Sequence, residues 1–456
     1  MLTERDAAAP PLDAEFAELR AREFARLDAG AHAYLDYTGS ALYPRSLVDG
    51  HAATLRDAVL GNPHSESPAS LASSALLAEA RARVLRFLDA DPADYAVVFT
   101  ANTTGAVRLV AEGFRFGPRA PLVLSQDEHN SVNGVREYAR RAGAPVLYLP
   151  LGEELRLVNT AEELAALAEG TRGGLFAYPA QSNFSGVRHP LSLVREAQSL
   201  GYTVLLDAAA YVPTSPLSLR EVPADFVALS FYKMFGYPTG LGALVARHEA
   251  LDALRRPWFS GGTVEFVSVH HDAHLLKDGV EAFEDGTPSF IAVAAASAGL
   301  DFLERVGLDR VRRRTGALAA SLATSLGALR RRDGGPLVAL YGPADGRDRG
   351  ATLAFNVLDA RGRAVPYCRV EERARQARVS VRGGCFCNPG AAAAAFGFPR
   401  ETTVRCLDAA RRDGWSLDRF SDCLGGLPVG AVRASLGIPS NAADVERLVE
   451  VVAGLA

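Results

Sequence analysis

The chain has 456 residues, 48% of them apolar, and a formal net charge of −4, enough to bury a large core in two or more domains. That balance argues against a nucleic-acid or membrane-surface role, and no apolar run approaches the roughly 20 residues of a membrane span. The amino terminus, Met-Leu-Thr-Glu-Arg-Asp, has no basic-then-apolar leader, so a cytoplasmic location is expected. Five cysteines, Cys368, Cys385, Cys387, Cys406 and Cys423, are few and odd in number and read as free thiols rather than a disulfide framework.

Residues 1–30, rich in Ala, Glu and Arg, read as a helix after a loose Ala-Pro-Pro start. His32–Pro44 gives a short strand ending in a Gly/Ser turn, Gly61–Ser70 a polar loop, and Leu71–Leu88 a long helix. Short apolar or β-branched runs then alternate with helical stretches: Ala96–Thr100, Pro121–Ser125, Val146–Leu149, Gly174–Tyr178, Val204–Asp207, Phe226–Ser230 and Gly242–Val245. That alternation predicts an α/β fold with a largely parallel sheet covered by helices on both faces. Functional loops follow the carboxyl ends of such strands, where Thr103, His129, Asn183, Asp207 and Lys233 fall. After about residue 290 the texture becomes that of a smaller α+β domain. It holds a helix over Ile291–Arg332, strands near Pro336–Tyr341, Thr352–Val357 and Val432–Ile438, a helix over Asp408–Leu424 that Gly414 interrupts, and a capped helix at Ser440–Ala456. The expected division is a segment 1–45 packing with the small domain, a large domain over 46–290 and a small domain over 291–456.

Of 49 basic residues only two are lysines, Lys233 and Lys277. A chain so biased toward arginine keeps a lysine where guanidinium will not serve, and lysine can shed its proton and form an imine. Lys233 lies in Ala-Leu-Ser-Phe-Tyr-Lys-Met-Phe-Gly-Tyr-Pro-Thr-Gly-Leu-Gly (residues 228–242), at a strand end or loop. An imine with pyridoxal phosphate needs an acid at the pyridine nitrogen, a flat group over the ring and donors for the phosphate. Asp207 closes the apolar run Tyr-Thr-Val-Leu-Leu-Asp, where a carboxylate is costly unless a cation meets it; a helix N-cap is the plainer use of aspartate there. Thr103 and Thr104 open a helix after a strand, which suits a phosphate as well as an ordinary cap. His129 offers an imidazole to stack on a ring. Cys385-Phe-Cys387 is too tightly spaced for a usual zinc half-site, so no metal is expected. Gly383, Gly384 and Gly390 make its segment a mobile loop, and exposed thiols on such a loop are nucleophiles, whereas buried cysteines are structural.

Four motifs carry a resemblance: Leu-Asp-Tyr-Thr-Gly-Ser-Ala-Leu-Tyr-Pro (35–44), Gln-Ser-Asn-Phe-Ser-Gly (181–186), the lysine stretch, and Gly-Cys-Phe-Cys-Asn-Pro-Gly-Ala (384–391). Together they resemble the amino-terminal domain of molybdenum cofactor sulfurases, in the class V aminotransferase and cysteine desulfurase superfamily of fold type I. The likeness runs from about residue 30 to 450. It implies a homodimer that binds pyridoxal 5'-phosphate through Lys233, which also moves protons at the substrate α-carbon. Asp207 is then expected at the pyridine nitrogen, His129 on the ring, and Asn183 at the phenolic oxygen or the substrate carboxylate. Thr103, Thr104 and Ser230 are expected at the phosphate, with Thr263 reaching the phosphate of a second subunit. Arg433 matches the arginine that grips the substrate carboxylate, and Cys387 the cysteine that attacks the substrate sulfur and keeps it as a persulfide.

Two positions depart from relatives: Ala210 stands where many cysteine desulfurases have glutamine, in keeping with the sulfurase branch, and alanines 391–395 where plant and animal sulfurases have a further cysteine. Those sulfurases continue into a carboxyl-terminal domain that binds the molybdenum cofactor, whereas this sequence ends at Ala456, which leaves a different sulfur-acceptor protein as the expected partner. The leading expectation is an enzyme that takes sulfur from L-cysteine or a sulfur-containing analogue, releasing alanine and leaving a persulfide on Cys387. A carbon–sulfur lyase, epimerase or related enzyme on the same fold needs Lys233 and Asp207 but not Cys387. A non-catalytic sulfur carrier needs neither lysine nor aspartate.

Overall fold

Strands buried on both faces read as unbroken apolar runs, and six such runs pair into one sheet with a seventh, partly exposed edge strand, Val146–Leu149. In chain order, after β1 (Ala33–Tyr34), they are β2 (Tyr95–Thr100), β3 (Leu122–Ser125), β4 (Val146–Leu149), β5 (Gly174–Pro179), β6 (Tyr202–Asp207), β7 (Phe226–Ser230) and β8 (Gly242–Arg247) in the computed structural model. The model describes residues 12–171, 173–344 and 346–455; the amino-terminal part of the helix expected over 1–30 lies outside them, and that helix is seen over Leu12–Glu23. The order across the sheet is β2-β8-β7-β6-β5-β3-β4. Strands β4, β3, β5, β6 and β7 run parallel, and β8 runs antiparallel to β7 and β2.

Alternate residues of each strand feed different cores, as the period of two requires. Val97, Phe99, Val204, Leu206 and Val227 join one cluster with helices Pro68–Phe87 and Phe290–Val306. Ala96, Val98, Leu205, Phe226 and Leu244 join another with helix Thr103–Gly113.

The hairpin β9 (Val264–Ser268) and β10 (Ala273–Leu276) stands outside this sheet. The small domain is an antiparallel sheet of β11 (Val338–Tyr341), β12 (Thr352–Val357), β14 (Arg382–Gly384) and β15 (Ala431–Ser435), in the order β11-β12-β15-β14. The intervening β13 (Val379–Ser380) pairs in parallel with β1, which brings Ala33 and Leu35 into the small core. Phe16, Phe24 and Leu27 of the same amino-terminal segment enter the large core, so the segment bridges both.

Two expectations need correction. The helix read over Ile291–Arg332 is two, Phe290–Val306 and Leu308–Ala328, broken at Gly307 with φ of +83°, a conformation glycine adopts without penalty. Val293, Leu300, Phe302 and Leu303 of the first bury in the large core. The interruption expected at Gly414 is present, between helices Arg400–Asp413 and Leu417–Cys423, the first of which starts at Arg400 rather than Asp408. Finally, Cys406 and Cys423 are disulfide-bonded and only Cys368, Cys385 and Cys387 are free. An odd cysteine count excludes complete pairing, not one bond between packed helices. No helix among the described residues is long and apolar enough to cross a membrane.

Candidate active site

The carboxyl ends of β5, β6 and β7 and the amino end of helix Thr103–Gly113 surround one solvent-open cleft of about 570 Å³. Lys233 lines it from a one-turn helix, Phe231–Phe235, whose Phe231, Met234 and Phe235 are buried. Gly299, on the helix packed behind, leaves room for the Phe235 ring, which any Cβ there would strike. Burial is the main cause that pushes the Lys233 amine down, against the upward pull of Asp207. Among the described residues nothing is hydrogen-bonded to its Nζ. Asp207 ends β6 and is buried. Its Oδ1 accepts from the Ala209 N–H at 2.9 Å, which closes a turn and caps no helix, and no hydrogen bond occupies Oδ2 among the described residues.

His129 Nδ1 accepts from the Ser131 N–H at 3.1 Å and contacts Ser131 Oγ at 3.0 Å. A ring nitrogen that accepts from an amide carries no proton, so the neutral ring's proton sits on Nε2. Burial, then the Lys233 charge, hold this imidazole below its ordinary value. Thr103, Thr104 and Ser230 also line the cleft. Thr103 gives its hydroxyl proton to the Leu229 carbonyl at 2.8 Å, so it has its backbone N–H, not its side chain, to donate. Asn102 caps the helix through the Gly105 N–H, and Gln181 completes the wall.

Thr263 lies elsewhere. It starts the β9–β10 hairpin region, with its hydroxyl donating to the Ser260 carbonyl at 2.8 Å, and does not line this cleft. Arg433, on β15, is also outside the lining, 2% exposed. It donates to the Asn183 carbonyl at 2.8 Å and to Asp36 Oδ1 at 3.1 Å, and its guanidinium lies 4.7 Å from the Phe386 ring centroid. Asp36 also receives Arg382, at 2.6 Å, so one buried carboxylate joins the two arginines. Its signal was present in the Leu-Asp-Tyr-Thr-Gly motif, but nothing local marks an aspartate whose partners lie 346 and 397 residues away.

The cysteine segment is not the mobile loop that its glycines suggested. Gly383 and Gly384 sit in β14, paired with Val432 and Ala431 of β15. Gly390 lies in helix Pro389–Phe396, where a Cβ would collide with the Gln126 carbonyl oxygen; the glycine serves close approach. Only three residues separate strand from helix cap, and two of them, Phe386 and Cys387, hold φ of +56° and +57°, which is costly for side chains of this kind. Cys387 is exposed and Cys385 partly buried. Asn183 lines the cleft, but its amide donates to the Phe386 carbonyl at 2.7 Å, leaving one amide proton for anything else.

Comparison with known proteins agrees with this geometry. The family model for class V aminotransferases matches residues 33–448. Molybdenum cofactor sulfurases from Bos taurus and Homo sapiens are 39% and 37% identical over 94% and 97% of this chain. The chain spans only about half of their length, 50% and 52%. A cysteine desulfurase from Thermococcus onnurineus superposes with a TM-score of 0.77 at 25% identity, covering 96% of this chain and 97% of that one. The fold is thus the expected fold type I arrangement, a large and mostly parallel domain with a small α+β domain after it. A model match of this extent, with relatives this similar, shows that the chain belongs to the class V aminotransferase family.

Proposed function

We propose that the chain is a cysteine desulfurase-like enzyme that uses pyridoxal phosphate to take sulfur from L-cysteine, releasing alanine and leaving a persulfide on Cys387. One observation carries the reading: Lys233, Asp207, His129 and Asn183 line one cleft, and a free, exposed thiol directly follows Phe386, whose carbonyl Asn183 holds at 2.7 Å. The cleft fits the cofactor. Among the described residues it offers a half-buried amine with no hydrogen-bond partner, a buried carboxylate with one open oxygen, a neutral imidazole and the N-terminus of an eleven-residue helix.

Lys233 would hold the cofactor, Asp207 its ring nitrogen and His129 its ring face, with Ser230, Thr104 and the Thr103 N–H at the phosphate. When bound, the cofactor supplies a sink for the charge left when the substrate loses its α-proton. Lys233 Nζ takes that proton and later returns one to the carbon skeleton. The Cys387 thiolate forms an S–S bond to the substrate sulfur as the carbon–sulfur bond breaks; the carbon keeps the electron pair, is protonated and leaves as alanine. Arg433 grips the substrate carboxylate, which requires it to turn from Asn183 or Asp36. We place the enzyme in the cytoplasm, a setting that suits three free thiols although not the disulfide, with a sulfur-acceptor protein as its partner. We also propose a homodimer. The exposed hairpin, with Phe266 68% and Leu275 62% accessible, would be covered by the second copy and bring Thr263 toward that copy's phosphate.

The test is L-cysteine turnover by purified protein, wild type and Cys387→Ala, with and without reductant. The expected result is alanine, a 1:1 persulfide on Cys387 and turnover that needs reductant, all lost in the variant. Pyruvate in place of alanine, or full activity without Cys387, overturns the reading in favour of a carbon–sulfur lyase.

A further inference from the structure

Between the cleft and the cysteine segment lies a buried polar cluster with no place in the chemistry above. Asp127, 1% exposed, receives Ser182 Oγ at 2.8 Å on Oδ1 and faces His189 Nε2 at 2.8 Å on Oδ2. Its third partner is Asn388, wholly buried, whose Nδ2 lies 2.7 Å from Asp127 Oδ1, 3.2 Å from the Asp127 carbonyl and 3.0 Å from Asn183 Oδ1. On its other side Asn388 Oδ1 accepts the Ala391 N–H and caps helix Pro389–Phe396. Two more bonds hold the residues just before it: Asn183 Nδ2 to the Phe386 carbonyl, and the Asn130 N–H to the Cys387 carbonyl, each 2.7 Å. The backbone being held is the left-handed Phe386–Cys387 pair, a conformation that persists only where its surroundings over-determine it.

We propose that Asn388 is the positioning residue of the nucleophile: its amide, clamped on Asp127 and Asn183, keeps Cys387 at the cleft mouth in the left-handed geometry from which its sulfur reaches the substrate. A cap alone needs only the side-chain oxygen, and aspartate or serine would serve equally. The donor end is the part that faces three buried acceptor atoms of Asp127 and Asn183, and only an amide supplies oxygen to the helix and N–H to the carboxylate at once. Asn388 thus ties the small-domain thiol to the large-domain wall of the cleft. A persulfide made on a segment so held is handed to an acceptor that comes to the enzyme, not carried outward on a swinging loop.

The inference rests on the desulfurase reading, and Asn388→Asp tests it because aspartate keeps the cap, removes the donor and sets a second carboxyl group against Asp127, a repulsion the double variant below relieves. In the holoenzyme, kcat for persulfide formation is expected to fall about a hundredfold, the usual order for a displaced reacting group, with KM for L-cysteine within about threefold. Asn388→Asp combined with Asp127→Asn, which exchanges donor and acceptor, is expected to recover at least about tenfold of that loss. In protein without cofactor, the Asn130 amide is expected to exchange its hydrogen faster in Asn388→Asp than in wild type. The proposal is overturned if the single variant forms persulfide within threefold of wild type, if KM and kcat change together, if the double variant recovers nothing, or if Asn130 exchange is unmoved. Should Asn388→Asp fail to fold, Asn388→Ser, also a cap without an amide, answers the same questions. If wild type itself forms no persulfide on Cys387, the desulfurase reading falls, and the exchange arm alone still decides whether Asn388 holds the segment.

Discussion

Cys406 and Cys423 stand on two packed helices with Cα atoms 5.8 Å apart and are bonded; Cys385 and Cys387, one residue apart, remain free. Spacing along the chain ranks the pairs the wrong way round. What decides is where the backbone carries each Cβ. The helix pair brings two side chains face to face and buries Cys406 with Phe420 and Leu424. The left-handed turn sends Cys387 to the surface and leaves Cys385 packed beside Phe386 and Phe396. One pair is a clasp for a peripheral helical insertion, the other presents a thiol.

The sharpest way to break this comparison is within the free pair. Cys387→Ser is expected to lower alanine formation by roughly a thousandfold or more, as loss of a nucleophile does, while Cys385→Ser stays within about threefold; equal losses would mean that the two thiols share the work. Next in size is the anchor of the strand before them. Asp36→Asn leaves Arg433 buried without its charge partner, which costs about 3–5 kcal/mol, read as a lowered urea midpoint together with a raised KM. In the bonded pair, Cys406→Ser is expected to cost about 3 kcal/mol for a loop of this length and to leave turnover at 25 °C unchanged within about twofold. A large loss of activity there would show that the clasp reaches the thiol.

The smallest effect is a pH dependence confined to the free pair's surroundings. Burial raises the Glu128 carboxyl well above its ordinary 4.5. The folded state therefore keeps this proton after the unfolded state has released it, so the stability it contributes is present below pH 4.5 and lost as pH rises. Glu128→Gln, which does not titrate, should melt about 2 °C above wild type at pH 8 and lose that advantage toward pH 4.5, by calorimetry across that range.

Much of the fold was legible because its signals are local. Seven apolar runs in alternation with helices predict the sheet, and every one of them is a strand of it, within two residues at either end. Lys233, Asp207 and His129 were legible for the same reason: each follows a strand whose carboxyl end must open on a cleft. The rest depends on contacts between distant residues. Glycines 383, 384 and 390 read as flexibility, because sequence shows that a side chain is missing but not the Tyr367 and Glu371 atoms that crowd Gly383, the Gln126 atoms that crowd Gly390, or the φ of +116° at Gly384. Asn388 and Asp36 stood inside the quoted motifs, yet their partners, Asp127 and Arg433, are assigned only by the tertiary fold. The hairpin of β9 and β10 left no alternation to read, since Phe266, Val269 and Leu275 are apolar residues on an exposed surface.

The parallel pairing of β1 with β13 has a consequence for how the protein is made. Asp36 leaves the ribosome 397 residues before Arg433, a wait of roughly 20–80 s at ordinary synthesis rates. By its end the large sheet has all its strands, but Asp36 has waited 346 residues for Arg382 and longer still for Arg433. The cleft is therefore expected to form early and the thiol to arrive late, once β13 pairs with β1 and Ser435 of β15 comes beside Asp36. A nascent chain can hold a binding cleft well before it carries the group that would act in it.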